Sequence, residues 1–364
     1  MSFRVLFTSD YEIHGSGRGS ARELMVEPTD RMLDQFDRYG AKLTILADVA
    51  EILKFKEYAE RYGRDDFAYQ DIVRQLRRAV ATGHDVQLHM HSSYFKATYG
   101  EGYWRQSYDE YDLANLPYER LFALIKLGRE FLEEALRPVR PSYRCFAFRA
   151  ANWSMHPSTN IVRALVENGI TIDTSVFKWG KYDELVKFDY TDAHSDLVPW
   201  PVAAHDVCRR DPSGELFEFP IYCEQKPIWT FLTPNRVYRV VQQRLNPLPE
   251  NAEEPAHDGG GGVAALPGKL VGAAGMLLRR HAWKMDFNQC TGRQLVDGLK
   301  RVERKYGGLP YELPVVLIGH SKTFTRHNER SLKPFLEYVA ERGPRLRFGT
   351  FGDFDLRVFR TVST

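Results

Sequence analysis

Phe3-Arg4-Val5-Leu6-Phe7-Thr8-Ser9-Asp10-Tyr11-Glu12 is an apolar run of strand length that ends in two carboxylates. A strand that is half exposed alternates apolar and polar residues, whereas one buried on both faces of a parallel sheet reads as a continuous apolar stretch. This run is of the second kind. The same form recurs at residues 41–47, 86–91, 145–149, 171–176, 216–222, 315–320 and 347–351. Helical patterns separate these runs. Residues 28–39 place Met32, Leu33, Phe36 and Tyr39 on one face before Gly40, and Ser158 and Thr159 can cap a helix ending before Gly169. Further helices are expected at 67–82, 118–136, 291–306 and 331–342. Strands alternating with helices imply βαβ units, hence an α/β fold and, with this many strands, an incomplete or distorted (β/α) barrel of about seven to eight parallel strands.

The 364 residues suffice for one large domain, expected to span 1–364. One stretch breaks the rhythm: residues 246–269, with Pro-Leu-Pro-Glu, four glycines from Gly259 to Gly262 and Leu-Pro-Gly, read as a flexible loop. Residues 270–284 read as a basic amphipathic helix completing this insertion. Such a helix can touch an anionic membrane surface, although such stripes are far more often packed on the protein's own core.

Fifty basic and forty-eight acidic residues leave a net charge of +2 without a basic cluster, which argues against a nucleic-acid partner. The amino-terminal residues lack the apolar stretch of a secretory signal, so a cytoplasmic location is expected. The most hydrophobic long stretch, 270–278, is far short of a membrane span. Cys145, Cys208, Cys223 and Cys290 have no Cys-x-x-Cys spacing, so neither a disulfide framework nor a thiolate zinc site is signalled.

Asp10 and Glu12, two apart on a strand, can face one site, the plain alternative being two solvated loop carboxylates. Val86-Gln87-Leu88-His89-Met90-His91 puts two imidazoles on one face at a strand's end, a spacing that a divalent metal can bridge. His84 reads as a loop residue. Phe146-Ala147-Phe148-Arg149 ends a strand in a guanidinium flanked by aromatics, which favours an enclosed position with an acidic partner. Asp173 and Asp286 read as structural carboxylates. Pro314-Val-Val-Leu-Ile-Gly319-His320 is a buried strand delivering a histidine, a natural acid/base group, with Gly319 permitting close backbone approach.

In order and spacing, Thr8-Ser9-Asp10-Tyr11-Glu12, residues 83–91, Phe148-Arg149-Ala150, residues 168–175 and Ile318-Gly319-His320 resemble the motifs of the polysaccharide deacetylase family, the NodB-homology fold or carbohydrate esterase family four. Within that family the chain most resembles a branch associated with bacterial surface-polysaccharide biosynthesis. The resemblance implies a hydrolase that removes an N-acetyl or related acyl group from an N-acylated sugar or oligosaccharide. It implies a divalent metal ion, zinc above all, which polarises the acyl carbonyl and binds water. By position, Asp10 is the base, Arg149 orients it, His320 is the general acid, and Glu12 and His89 hold the metal, with His91 as the third ligand if it substitutes for the family's second histidine. Two departures stand out. The family's second metal histidine falls at Ser93, so His91 must substitute for it or water must, and the family's adjacent aspartates are replaced by Asp10-x-Glu12. Rival readings are a small-amide carbon–nitrogen hydrolase and a non-catalytic carbohydrate-binding protein on the same fold.

Overall fold

Seven parallel strands lie side by side around most of a cylinder. In chain order they are β1 (Phe3–Tyr11), β2 (Leu43–Asp48), β3 (Asp85–Met90), β4 (Ala147–Ala150), β5 (Ile172–Asp173), β6 (Phe217–Glu218) and β7 (Leu313–His320). Their spatial order is β6-β5-β4-β3-β2-β1-β7, with β8 (Leu346–Phe348) pairing with the start of β1. The computed structural model describes residues 2–13, 15–245 and 279–361. The ring nearly closes, because Ile221, just past β6, bridges in parallel to Val316 of β7. The fold is thus the expected distorted (β/α) barrel.

Helices α1 (Glu27–Asp37), α2 (Val49–Tyr62), α3 (Tyr69–Ala81), α4 (Tyr118–Leu136), α5 (Ser158–Glu167), α6 (Pro234–Leu245), α7 (Gly292–Tyr306), α8 (Arg326–Ala340) and α9 (Leu356–Thr361) complete the chain order. Residues of β1 divide by parity, as strand geometry requires. Phe7 packs against Phe36 of α1 and Phe335 of α8, with ring centroids 4.5 and 5.9 Å away. Thr8 and Asp10 point the other way, into the barrel, where both meet Arg149. A side chain at Gly319 would put its Cβ 2.2 Å from the Phe287 ring, so the close approach expected there is real.

Several expectations need correction. The sheet pairing of 171–176 and 216–222 shrinks to two residues each, and in the second case Pro220 supplies no N–H to continue a ladder. Ser158 does not cap α5: it is the first helical residue, and its hydroxyl donates to the Met155 carbonyl. The expected helix at 270–284 lies outside the described residues up to 278. Its last part is instead a strand, Arg280–Lys284, antiparallel to Cys223–Pro227, with Trp283 buried beneath the Lys226 ammonium. The flexible loop expected at 246–269 lies wholly outside the described residues. Among the described residues no helix is long and apolar enough to cross a membrane.

Candidate active site

The barrel registers decide which strand-end side chains meet. Asp10 on β1 pairs with His320 on β7, Asp48 on β2 with His89 on β3, and His89 with Arg149 on β4. Continuous apolar strands fix these registers, since a slip of one residue would turn every inward side chain outward. All six residues expected at the site come together except that His91 lies one position beyond β3, where its backbone remains extended (φ −94°, ψ 94°).

Arg149 is fully buried and spends its donors on three partners. Nη1 donates to Asp10 Oδ1 at 2.7 Å, Nη2 to Thr8 Oγ1 at 2.8 Å, and Nε to the Thr174 carbonyl at 2.9 Å. Burial pushes the Asp10 carboxyl up, but Arg149, His89 and His320 outweigh it and hold the group below its usual range. The other carboxylate oxygen, Oδ2, is 3.5 Å from His320 Nε2. For His320 burial wins over the carboxylates, so its pKa falls.

Glu12 is shared between two sets of partners. Its Oε2 lies 3.2 Å from His89 Nε2 and 2.7 Å from His91 Nε2. Its Oε1 accepts from Lys322 Nζ at 2.8 Å. Burial raises Glu12, yet Lys322, His91 and His89 together bring it well below the ordinary carboxylate value. Lys322 also donates to the Ile13 carbonyl at 3.1 Å, and Glu12 lifts its pKa against the effect of burial.

The fit of this cluster to a divalent ion can be judged from its donors. One ligand atom from each of Glu12, His89 and His91 lies within 4.8 Å of the other two. His89 Nδ1 is 2.9 Å from the Arg149 carbonyl oxygen, which can only accept, so Nδ1 carries the proton. Nε2 then turns a lone pair toward the Glu12 carboxylate. Two lone-pair-bearing atoms at 3.2 Å repel unless a cation stands between them: either a second proton on the ring or a metal ion. Burial alone would lower His89, but Asp10 and Glu12 raise it to about 9, as expected where a cation is favoured. Two imidazoles and a carboxylate are also a donor set that zinc accepts, with a position left open. The residues fit the metal.

Ser93, at the position of the family's second histidine, is turned aside. It lies in the 3-10 turn Ser92–Lys96, which begins directly after His91, and its hydroxyl donates to Gln106 Oε1 at 2.6 Å. Asp286 lines the pocket and accepts from the Asn288 and Gln289 N–H groups. Asp173 is remote from the cluster in bonding: buried, it accepts from the Ser175 hydroxyl at 2.6 Å. His84 precedes β3, at the end of that strand away from His89, where its Nδ1 accepts from the Leu43 N–H and its Nε2 lies 3.1 Å from Asp37 Oδ1.

Sequence reasoning missed four contributors. Lys322 follows His320 by two residues and was legible only as a loop lysine. Asp48 ends β2 and caps α2, and its Oδ1 also accepts the His91 N–H at 3.2 Å. Asn152 and Trp153, just after β4, both have left-handed backbone (φ 52° and 54°) and line the pocket, and the Asn152 Nδ2 is a buried donor without a partner among the described residues. Strained non-glycine residues cluster where a site demands them.

Asp10, Glu12, His89, His91, His320 and Lys322 open into one cavity of about 940 Å³. No protein-family model matches the sequence, and no curated protein matches it by sequence. Solved structures do match. A protein of Parabacteroides distasonis provisionally described as a glycoside hydrolase/deacetylase is 12% identical, with 100% of this chain and 72% of that chain covered and a TM-score of 0.56. A GH57 branching enzyme from Thermococcus kodakaraensis is 13% identical over 97% of this chain and 71% of its own, at a TM-score of 0.52. A provisionally described polysaccharide deacetylase from Mycobacterium smegmatis is 14% identical over 97% and 88%, at 0.48. The first two agree with the fold described above, a distorted (β/α) barrel.

Proposed function

We propose that the protein is a metal-dependent hydrolase that removes an N-acetyl or related acyl group from an amino sugar, in keeping with a role in surface-polysaccharide biosynthesis. The observation that carries this reading is the junction of two clusters on Glu12 and Asp10: a three-donor set of Glu12, His89 and His91, beside an Asp10 that Arg149 keeps ionised and that His320 approaches.

When bound by Glu12, His89 and His91, a divalent ion, zinc above all, would supply Lewis-acid polarisation of the acyl carbonyl. The remaining work falls to the chain. Arg149 fixes Asp10 through Oδ1 and leaves Oδ2 as the proton acceptor for the attacking water. His320, 3.5 Å from that oxygen, is within reach of the same proton and delivers one to the departing amine through Nε2. The C–N bond breaks as the C–O bond forms, and one water is divided between a carboxylic acid and an amine. Lys322 holds Glu12 in place and adds a fixed positive charge beside the reacting carbonyl.

The test is acetate release from a panel of N-acetylated amino sugars by zinc-loaded protein, together with metal analysis of the protein as purified. Turnover that chelation abolishes and zinc restores supports the reading. A protein that binds these sugars but neither holds metal nor releases acetate would instead be a carbohydrate-binding module on this fold.

A further inference from the structure

Helix α6 presents its two sides in reverse. A helix on a protein's surface ordinarily turns an apolar stripe to the core and a polar one to water. Here the polar side faces the protein. Asn235 is buried, donating from Nδ2 to the Cys290 carbonyl at 2.8 Å with its Oδ1 2.9 Å from His327 Nε2, and Arg236 and Arg239 line the pocket. Val237, Val240 and Val241, on the other side at helical spacing, are exposed, as is Tyr238, which rests one face on the His327 ring.

The turn Ile228–Phe231 and the residue after it extend this face, with Trp229 60% and Leu232 69% exposed. Twelve large apolar side chains are exposed among the described residues; these six fall within residues 229–241, whereas the others are scattered along the chain. Single exposed apolar residues are ordinary, but a patch of them marks a contact surface.

The charges beside the patch suit a lipid surface. Arg280 stands opposite Pro227 in the antiparallel pair that leads into the turn, and both it and Arg279 are exposed. No aspartate or glutamate occurs in residues 225–241 or 279–285. Aliphatic side chains with a tryptophan at one end and arginines alongside can enter the acyl boundary while the cations meet anionic headgroups. A second copy of the chain fits less well: a stable pair of proteins uses about 20–30 residues a side, and this patch offers six.

We propose that Trp229, Leu232 and the outer side of α6 seat the protein on an anionic lipid bilayer. The contact thus falls on α6 and not on the stretch 270–284 in which the sequence suggests it. Because the inner side of the same helix lines the pocket, one pocket wall then stands about one helix diameter, ~10 Å, from the lipid.

The experiment sediments the full chain with vesicles of phosphatidylglycerol and phosphatidylcholine in equal parts, and with vesicles of phosphatidylcholine alone. Wild type should bind the anionic vesicles more tightly, and added salt should narrow the difference. Leu232→Gln, Val237→Gln, Val240→Gln and Val241→Gln combined should weaken binding roughly a hundredfold. Arg279→Gln and Arg280→Gln should each cost roughly fivefold on the anionic vesicles only. Quenching of tryptophan fluorescence by brominated lipid should fall in Trp229→Phe. Vesicle binding does not pass through the reaction, so acetate release can fail without touching it. Wild type that stays in the supernatant overturns the proposal. A dimer in analytical ultracentrifugation that the combined variant abolishes would then make the face an interface between copies, and a monomer whose Tm falls in that variant would assign its cover to residues of the same chain. Binding that the combined variant leaves unchanged also overturns it, since the contact then lies elsewhere.

Discussion

Replacing Arg149 by methionine keeps much of the buried stem and removes the charge. In the native protein the guanidinium is fully buried and its counterion Asp10 is 3% exposed, so neither can turn to water when the other is lost. The variant forfeits the 2.7 Å pair with Asp10 and the bonds to Thr8 and Thr174, and leaves a carboxylate in a closed barrel. Breaking a buried pair from one side costs about 3–5 kcal/mol, a large part of the roughly 5–15 kcal/mol that holds a domain folded. With its main cation gone, Asp10 should also move up toward protonation and cease to serve as a base. Urea unfolding followed by circular dichroism, in EDTA so that metal binding adds nothing to stability, measures the first effect. The decisive comparison is with Asp10→Asn and the double variant. Because the double variant lacks both charges, it should be more stable than the two single losses sum to, by about 1–3 kcal/mol. If Arg149→Met costs under about 1 kcal/mol, or the two changes simply add, Arg149 does not hold Asp10 in the way described.

The metal set is open to a direct comparison: His89→Ala and His91→Ala should both weaken zinc affinity by well over the roughly ten- to hundredfold that loss of a supporting group produces, while Ser93→Ala should leave it unchanged. Equal affinity in His91→Ala and wild type by zinc titration would remove His91 from the site. Asp10→Asn should retain zinc and lose roughly 10²–10⁴-fold in kcat, and His320→Ala should likewise slow turnover without releasing metal, as judged by acetate release and metal content. Away from the site, burial pushes the Asp85 carboxyl up to about 6. Its folded value then exceeds the unfolded one near 4, so its ionisation penalty is absent below about pH 4, grows to about pH 6 and persists above. Asp85→Asn should therefore gain up to about 3 kcal/mol on the wild type between about pH 4 and pH 7, whatever offset its altered hydrogen bonds add. Parallel stability profiles across that window would contradict the buried carboxyl.

What could be read in advance followed from how much each element depends on local pattern. The parallel strands were legible because burial on both faces keeps them mainly apolar until the carboxyl end, and there the change of character marked Asp10, Glu12, His89, Arg149 and His320. The helix α2 (Val49–Tyr62) escaped, although Asp48 immediately before it is an N-cap whose side chain accepts from Ala50 and Glu51. The strand Arg280–Lys284 was misread as helix because its pairing with Cys223–Pro227 lies more than fifty residues back along the chain, where no local periodicity reports it. The choice between His91 and Ser93 also lay beyond the pattern. It depends on a backbone that stays extended for one residue past β3 and then coils, which a row of polar residues does not announce. Lys322 was invisible for a similar reason: only the turn after β7 folds it back onto Glu12.

A shared fold does not choose between the reactions found on it, since carbohydrate-active enzymes with different chemistries are among the solved structures of similar shape. The charges at the strand ends do separate them. Cleavage of a glycosidic bond by paired carboxyl groups needs one of them to carry a proton at working pH, and needs the two to flank the bond. Asp10 and Glu12 meet neither condition. They come from one strand end two residues apart, and each is held below its usual range, Asp10 by Arg149 and Glu12 by Lys322 with two imidazoles. Hydrolysis of an amide needs the opposite: an ionised base, a cation at the carbonyl and a separate acid for the amine. In the reaction proposed above, Arg149 would serve the first need, a cation held by Glu12, His89 and His91 together with Lys322 the second, and His320 the third. The partition of charge among these side chains, more than the barrel that carries them, is what favours acyl transfer to water.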